Sequence, residues 1–197
     1  MADLVQRAIA AARLDPQVYE EVEADQTALG QAMTVVVVAA LASGIGSLGS
    51  GGMANVIGTA IGALIGWYVW AFVIWAVGTK VLPTPQTHAD VGQVLRTTGF
   101  SAAPGVLAVT GIVPGVGPYL MVAASIWQLV AMIVAVRQAL DYESTGRAIA
   151  VCVIGYVAMI IVIFAIVLLI GGFVGGFGHG GPAPAMGAFA SPGTLPG

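Results

Sequence analysis

Polar and apolar positions in this chain separate into long blocks. Every Asp, Glu, Lys and Arg lies within residues 3–25, 80–96 or 137–147. The stretches 26–79, 97–136 and 148–197 carry no charge. An α-helix rises ~1.5 Å per residue, so crossing a hydrocarbon core of ~30 Å takes about 20 residues. The first stretch holds two crossings and a turn, the second holds two shorter ones, and the third holds one.

Turn chemistry places the breaks. Ser47-Leu-Gly-Ser-Gly-Gly52 is a flexible connection, and the prolines and glycines of Pro114-Gly-Val-Gly-Pro118 cannot continue a helix. The pattern predicts an all-α polytopic bundle with transmembrane helices near 28–47, 56–79, 98–113, 119–138 and 148–171. The third is short and contains Pro104 and Gly105, so a re-entrant or tilted segment shielded by neighbours is its alternative. With an odd number of crossings, all six basic residues fall on one side: Arg7, Arg13, Lys80, Arg96, Arg137 and Arg147. Basic residues stay on the cytoplasmic side, so the N-terminus is expected there and the C-terminus outside.

Composition agrees. Of 197 residues, 58% are apolar and 8% charged, with a mean hydropathy of +0.98. Soluble domains carry about 25% charged residues. An ordinary soluble enzyme, a nucleic-acid binder and a disordered chain are excluded. The net charge of −3 comes without a basic cluster, so no nucleic-acid partner is expected. The lone Cys152 rules out an intramolecular disulfide and any multi-cysteine metal site. Residues 1–26 are too polar for a secretory signal, so targeting is expected from the first span.

Within 1–26, Leu4, Val5, Ala8, Ile9 and Ala12 share one helical face. This helix is expected either on the inner membrane surface or packed under the bundle. Asp15-Pro16 is a helix start, with Asp as N-cap and Pro at the first position. The Glu20, Glu21, Glu23 and Asp25 run that follows reads as a solvated face or a docking surface. At the other end, residues 173–197 form a Gly- and Pro-rich tail, with Phe173, Phe177, Met186 and Phe189 spaced along it.

Catalytic chemistry has little to work with. An ionisable residue inside a span marks function by default, and apart from Arg137 at the very end of the fourth, the predicted spans contain no Asp, Glu, His, Lys or Arg. His88 falls in a loop and His179 in the tail, and Ser101 and Ser125 have no base nearby in sequence. No catalytic residue, cofactor or metal is expected. Gln128 is suited to bonding a neighbouring helix, or to a site in a cavity. Gly58, Gly62 and Gly66 repeat every four residues as a glycine zipper, and Ala40 and Gly44 share that spacing on the first span. These faces are expected to associate within the bundle or between copies. Trp67, Tyr68 and Trp70 sit mid-helix, as packing or as the wall of an apolar groove.

Three segments carry a resemblance. They are Leu14-Asp-Pro-Gln-Val-Tyr-Glu-Glu-Val-Glu-Ala-Asp25, Val94-Leu-Arg-Thr-Thr-Gly-Phe-Ser-Ala-Ala-Pro104, and Trp127 through Leu140 followed by Ser144-Thr-Gly-Arg-Ala148. Together they resemble the Yip-domain family (Ypt-interacting proteins), in its bacterial branch, over about residues 15–172. The resemblance implies five helices, a cytoplasmic N-terminus and a non-enzymatic membrane factor. Eukaryotic members work with Rab-type GTPases in vesicle traffic. Their Asp-Leu-x-Gly-Pro segment is absent here, because Asp3-Leu4 continues as Val5-Gln6, so GTPase binding is not carried over.

The reading is a scaffold or adaptor of the bacterial inner membrane. Its expected partners are lipids and either another membrane protein or a second copy. Glu20, Glu21, Glu23, Arg96 and Arg137 are the expected cytoplasmic contacts. A small-solute transporter or channel component and an accessory subunit of a larger complex are the alternatives.

Overall fold

The computed structural model describes residues 3–178, apart from the side chains at 49–51, 53, 55 and 170–178. Those residues form helices and turns without strands. Two short helices come first, α1 (Leu4–Ala12) and α2 (Pro16–Ala24). Then follow α3 (Leu29–Gly46), α4 (Leu48–Ala76), α5 (Val91–Phe100), α6 (Gly117–Ala139) and α7 (Thr145–Gly178). The segments Gln26–Gly46, Val56–Val81, Gly117–Ala139 and Thr145–Leu169 are long and apolar enough to cross a membrane. Each lies within a few residues of an expected span.

The expected helix over 98–113 is different. Here α5 ends at Phe100, and Ala103–Ile112 continues as a 3-10 helix. Pro104 causes the change, since it has no N–H to give back to the preceding turn. A 3-10 helix rises ~2.0 Å per residue, so α5 and the 3-10 segment together reach about 35 Å if extended end to end. The segment follows α3 closely: Gly99 lies against Ala32, Gly105 against Ala39, and Gly111 against Gly46.

Two further breaks differ from expectation. Residues 48–51 are helical, and the interruption is at Gly52, whose φ of +64° suits glycine. The last helix runs past 171 to Gly178, taking in Phe173 and Phe177. The remaining tail, with His179, Met186 and Phe189, lies outside the described residues.

The chain divides into two compact units at Met159/Ile160. In the second, the side chains from Ile160 to Leu169 are exposed and nearly all large and apolar, as suits a surface facing lipid. In the first, the best-buried large side chains are Tyr19, Phe100, Ile74, Leu140, Val22 and Val94. They come from α2, α4, α5 and the α6–α7 turn, so the tightest packing sits beside the charged blocks. Tyr19 closes the α1–α2 corner, its hydroxyl donating to the Ala11 carbonyl at 3.0 Å.

At the opposite end, glycines set the packing. A Cβ built on Gly46 would fall 2.0 Å from the Ala108 carbonyl oxygen, and one on Gly117 2.5 Å from that of Gly111. Backbone atoms cannot move aside as a side chain can. We predict that Gly46→Ala lowers unfolding stability by about 1–3 kcal/mol through overpacking. Gly62→Ala, with nothing within 4 Å of its added carbon, should be neutral or stabilising by up to about 1 kcal/mol. Reversible unfolding in mixed detergent compares the two. Equal stabilities would contradict the backbone approach.

Candidate functional site

The three charged blocks meet in one layer. Asp90 caps α5: it accepts from the Gln93 N–H at 2.8 Å while its own N–H donates to Gln93 Oε1 at 2.6 Å. This box fixes Gln93, whose Nε2 reaches Glu23 Oε1 at 3.1 Å. One turn on, Arg96 is buried beneath the end of α2, donating from Nε to the Val22 carbonyl at 3.0 Å and from Nη2 to that of Glu23. A cation on the last carbonyls of a helix satisfies groups that have no partner inside it.

Glu23 is the unusual member. It is 9% exposed, and its Oε2 is buried without a hydrogen-bond partner among the described residues. Burial raises its pKa to about 7, helped by repulsion from Asp141, Glu20 and Asp90 and opposed by Arg96.

Other contacts extend the layer. Arg7 of α1, 6% exposed, pairs with Glu21 at 2.7 Å and Asp25 at 2.9 Å, and donates to Gln31 at 3.0 Å. Hydrogen bonds from the Thr27 hydroxyl and from Arg7 hold the Asp25 carboxyl below its usual range. Gln138 of α6 donates to Glu20 at 2.8 Å. Arg137 closes the α6–α7 turn on the carbonyls of Tyr142 and Glu143, both at 3.1 Å. The Tyr142 hydroxyl donates to the Leu82 carbonyl at 2.8 Å, and Arg147 to that of Pro83 at 3.3 Å.

This changes the reading of the charged residues. Glu23 and Arg96, expected as cytoplasmic contacts, are buried between α2 and α5. Glu20, Glu21 and Arg137 each bond within the chain, although both glutamates stay exposed. Arg7 was missed. Its spacing sets it off the apolar face of α1, but sequence does not show that acids of α2 wait there. Among the described residues, Asp3, Glu20, Glu21, Asp90, Asp141 and Glu143 are exposed acids, against Arg13, Lys80 and Arg147 as exposed bases.

Deeper, a cavity of about 440 Å³ opens between α3, α4, α5, the 3-10 segment, α6 and α7. Gln128, Trp67, Trp70, Ala40 and Gly66 line it. Trp67 also packs: its Nε1 donates to Leu95 O and Thr98 Oγ1, both at 3.2 Å. α3 comes close to α4 at Gly44, where an added Cβ would be 2.9 Å from Val56 Cα. Gly58, Gly62 and Gly66 have nothing within 4 Å of such a carbon. His88 is exposed, and the buried Ser101 donates to the Thr98 carbonyl at 2.7 Å. Among the described residues no three His, Cys, Asp or Glu side chains gather to hold a metal ion.

The model of the Yip1 domain matches residues 14–167. The chain belongs to the Yip1 domain family. No curated protein and no solved structure matches it significantly. The Yip1 domain takes in α2, Glu23, Arg96 and Gln128, whereas α1 and its Arg7 precede it. This Yip1-domain chain is an all-helical integral membrane protein.

A pH dependence follows from Glu23. Unfolded, its carboxyl loses the proton near the ordinary value of 4.5, whereas the folded protein holds it to about 7. The folded state therefore binds more protons between those values, and stability falls as pH rises through that window. Glu23→Gln should remove this slope and leave the variant more stable than wild type at pH 8. Unfolding midpoints from pH 4 to 8 test this, and parallel curves for the two proteins would refute it.

Proposed function

We propose that this Yip1-domain protein is a non-enzymatic adaptor of the bacterial cytoplasmic membrane. It crosses five times, with its charged layer in the cytoplasm, and holds a basic segment of a partner protein there. The uneven use of charge carries this reading. Arg7 and Arg96 are buried in internal contacts, whereas Glu20, Asp90, Asp141 and Glu143 remain exposed. The surface offered to water thus carries six exposed acids against three exposed bases, Arg13, Lys80 and Arg147. Like charges held on a rigid surface attract a complementary partner and set its orientation.

The fifth crossing is assigned to residues 91–112. Supporting it are the length of this mixed α and 3-10 segment and its course beside α3. The six basic residues then fall on one side, which orients the N-terminus inward. Gln86→Cys and Val116→Cys test this topology, since both positions are exposed and the native Cys152 is buried. In intact cells an impermeant maleimide should label Val116→Cys and spare Gln86→Cys. Labelling of both or neither, or the reverse pattern, would overturn it.

Partner binding is tested on the tagged full chain, extracted gently and weighed by native mass spectrometry. A stoichiometric foreign subunit should be present with wild type and lost when Glu20→Lys and Asp141→Lys are combined. Detecting self-copies and lipid alone would reject the adaptor role.

A further inference from the structure

The cavity around Gln128 has a composition that defines an occupant. Its space comes from small residues, among them Ala63, Gly66, Ala102 and Ala124, where a packed bundle would place larger ones. Its bulk is walled by Trp67 and Trp70 with Met121 and Met132. No charged side chain lines it, so an ion or a zwitterionic headgroup would find no counter-charge.

Polar groups do face it. The side chains of Gln128, Ser43 and Tyr156 line the cavity and make no hydrogen bond among the described residues. Other lining groups have partners: Ser125 donates to the Met121 carbonyl at 2.9 Å, and Thr98 accepts from Trp67 at 3.2 Å. An amide left unbonded at hydrocarbon depth is costly, and it becomes favourable once a ligand supplies the missing partner. Gly105 shapes the site, because a Cβ there would fall 3.0 Å from Gln128 Oε1.

We infer that this cavity binds an uncharged, lipid-soluble molecule taken from the bilayer. Its apolar body lies against Trp67 and Trp70, and its carbonyl or hydroxyl oxygen bonds Gln128. A volume of about 440 Å³ falls within the range of small-molecule sites, ~300–1,000 Å³. The mainly apolar wall favours holding such a molecule over conducting a hydrated solute. The inference is independent of the adaptor role, since the cavity shares no residue with the charged layer.

The test uses the full chain in phosphatidylcholine nanodiscs, titrated with a decyl-substituted benzoquinone that quenches tryptophan. Wild type should show saturable quenching above the linear background of probe dissolved in lipid. Gln128→Leu should weaken the saturable phase at least tenfold. Gly66→Leu is the second variant, since the carbon it adds meets nothing within 4 Å and its side chain fills the cavity. It should abolish the saturable phase while keeping or raising the thermal midpoint, which separates blocked binding from misfolding. Decylbenzene, which lacks the oxygen, should compete at least tenfold more weakly than the quinone quenches. Purely linear quenching of wild type, saturable quenching unchanged in both variants, or equal competition by decylbenzene would each overturn the inference.

Discussion

Arg96 joins two parts of the molecule that obey different rules. It belongs to α5, which leads into the apolar 3-10 segment, and it binds the final carbonyls of α2, in the charged lead-in. Removing a buried guanidinium would leave the Val22 and Glu23 carbonyls without a donor in a place water does not reach. Leaving either partner unsatisfied costs more than the bond itself contributes. The joint also explains why α2 presses close enough to bury Glu23. Once α2 is held there, Gln93 and the Asp90 cap are committed to the same arrangement.

From that joint outward, the packing changes character. Near the charged layer, burial resembles that of a soluble domain, with Tyr19, Phe100 and Leu140 fully enclosed. Farther along the spans, large apolar side chains such as Ile57, Ile61, Ile65 and Phe72 are exposed. Hydrocarbon does not drive such groups together, so close association there depends on shape and on small residues. Gly46, Gly111 and Gly117 provide it at the far end. Between these two well-packed ends lies the cavity, so it is bounded by firm structure on both sides.

The span layout was legible because charge cannot be left in hydrocarbon, and three charged blocks mark where the chain must emerge. The segment from 98 to 113 was only partly legible. Pro104 signals a disturbance, but not that the chain answers with 3-10 geometry rather than a bend. Gln128 stood out as an amide in an apolar run, whereas the space beside it depends on alanines scattered over several helices, which no local pattern marks. The Gly58, Gly62 and Gly66 repeat is as regular as any motif here, yet close approach occurs at Gly44 and Gly46 instead. A repeat describes one surface and does not name what will meet it. Glu23 and Arg96 were hidden for a related reason: an acidic run looks solvated until another helix packs over one of its members.

The 3-10 geometry of Ala103–Ile112 has a mechanical consequence. Ten residues in this form rise about 5 Å farther than they would as an α-helix. The segment can therefore shorten by that amount through rewinding, with no residue gained or lost. A rigid α-helix meets a thinner bilayer by tilting or by deforming the lipid around it. As part of the proposed fifth crossing, this element would have a third response, a change of length at a point fixed by one proline.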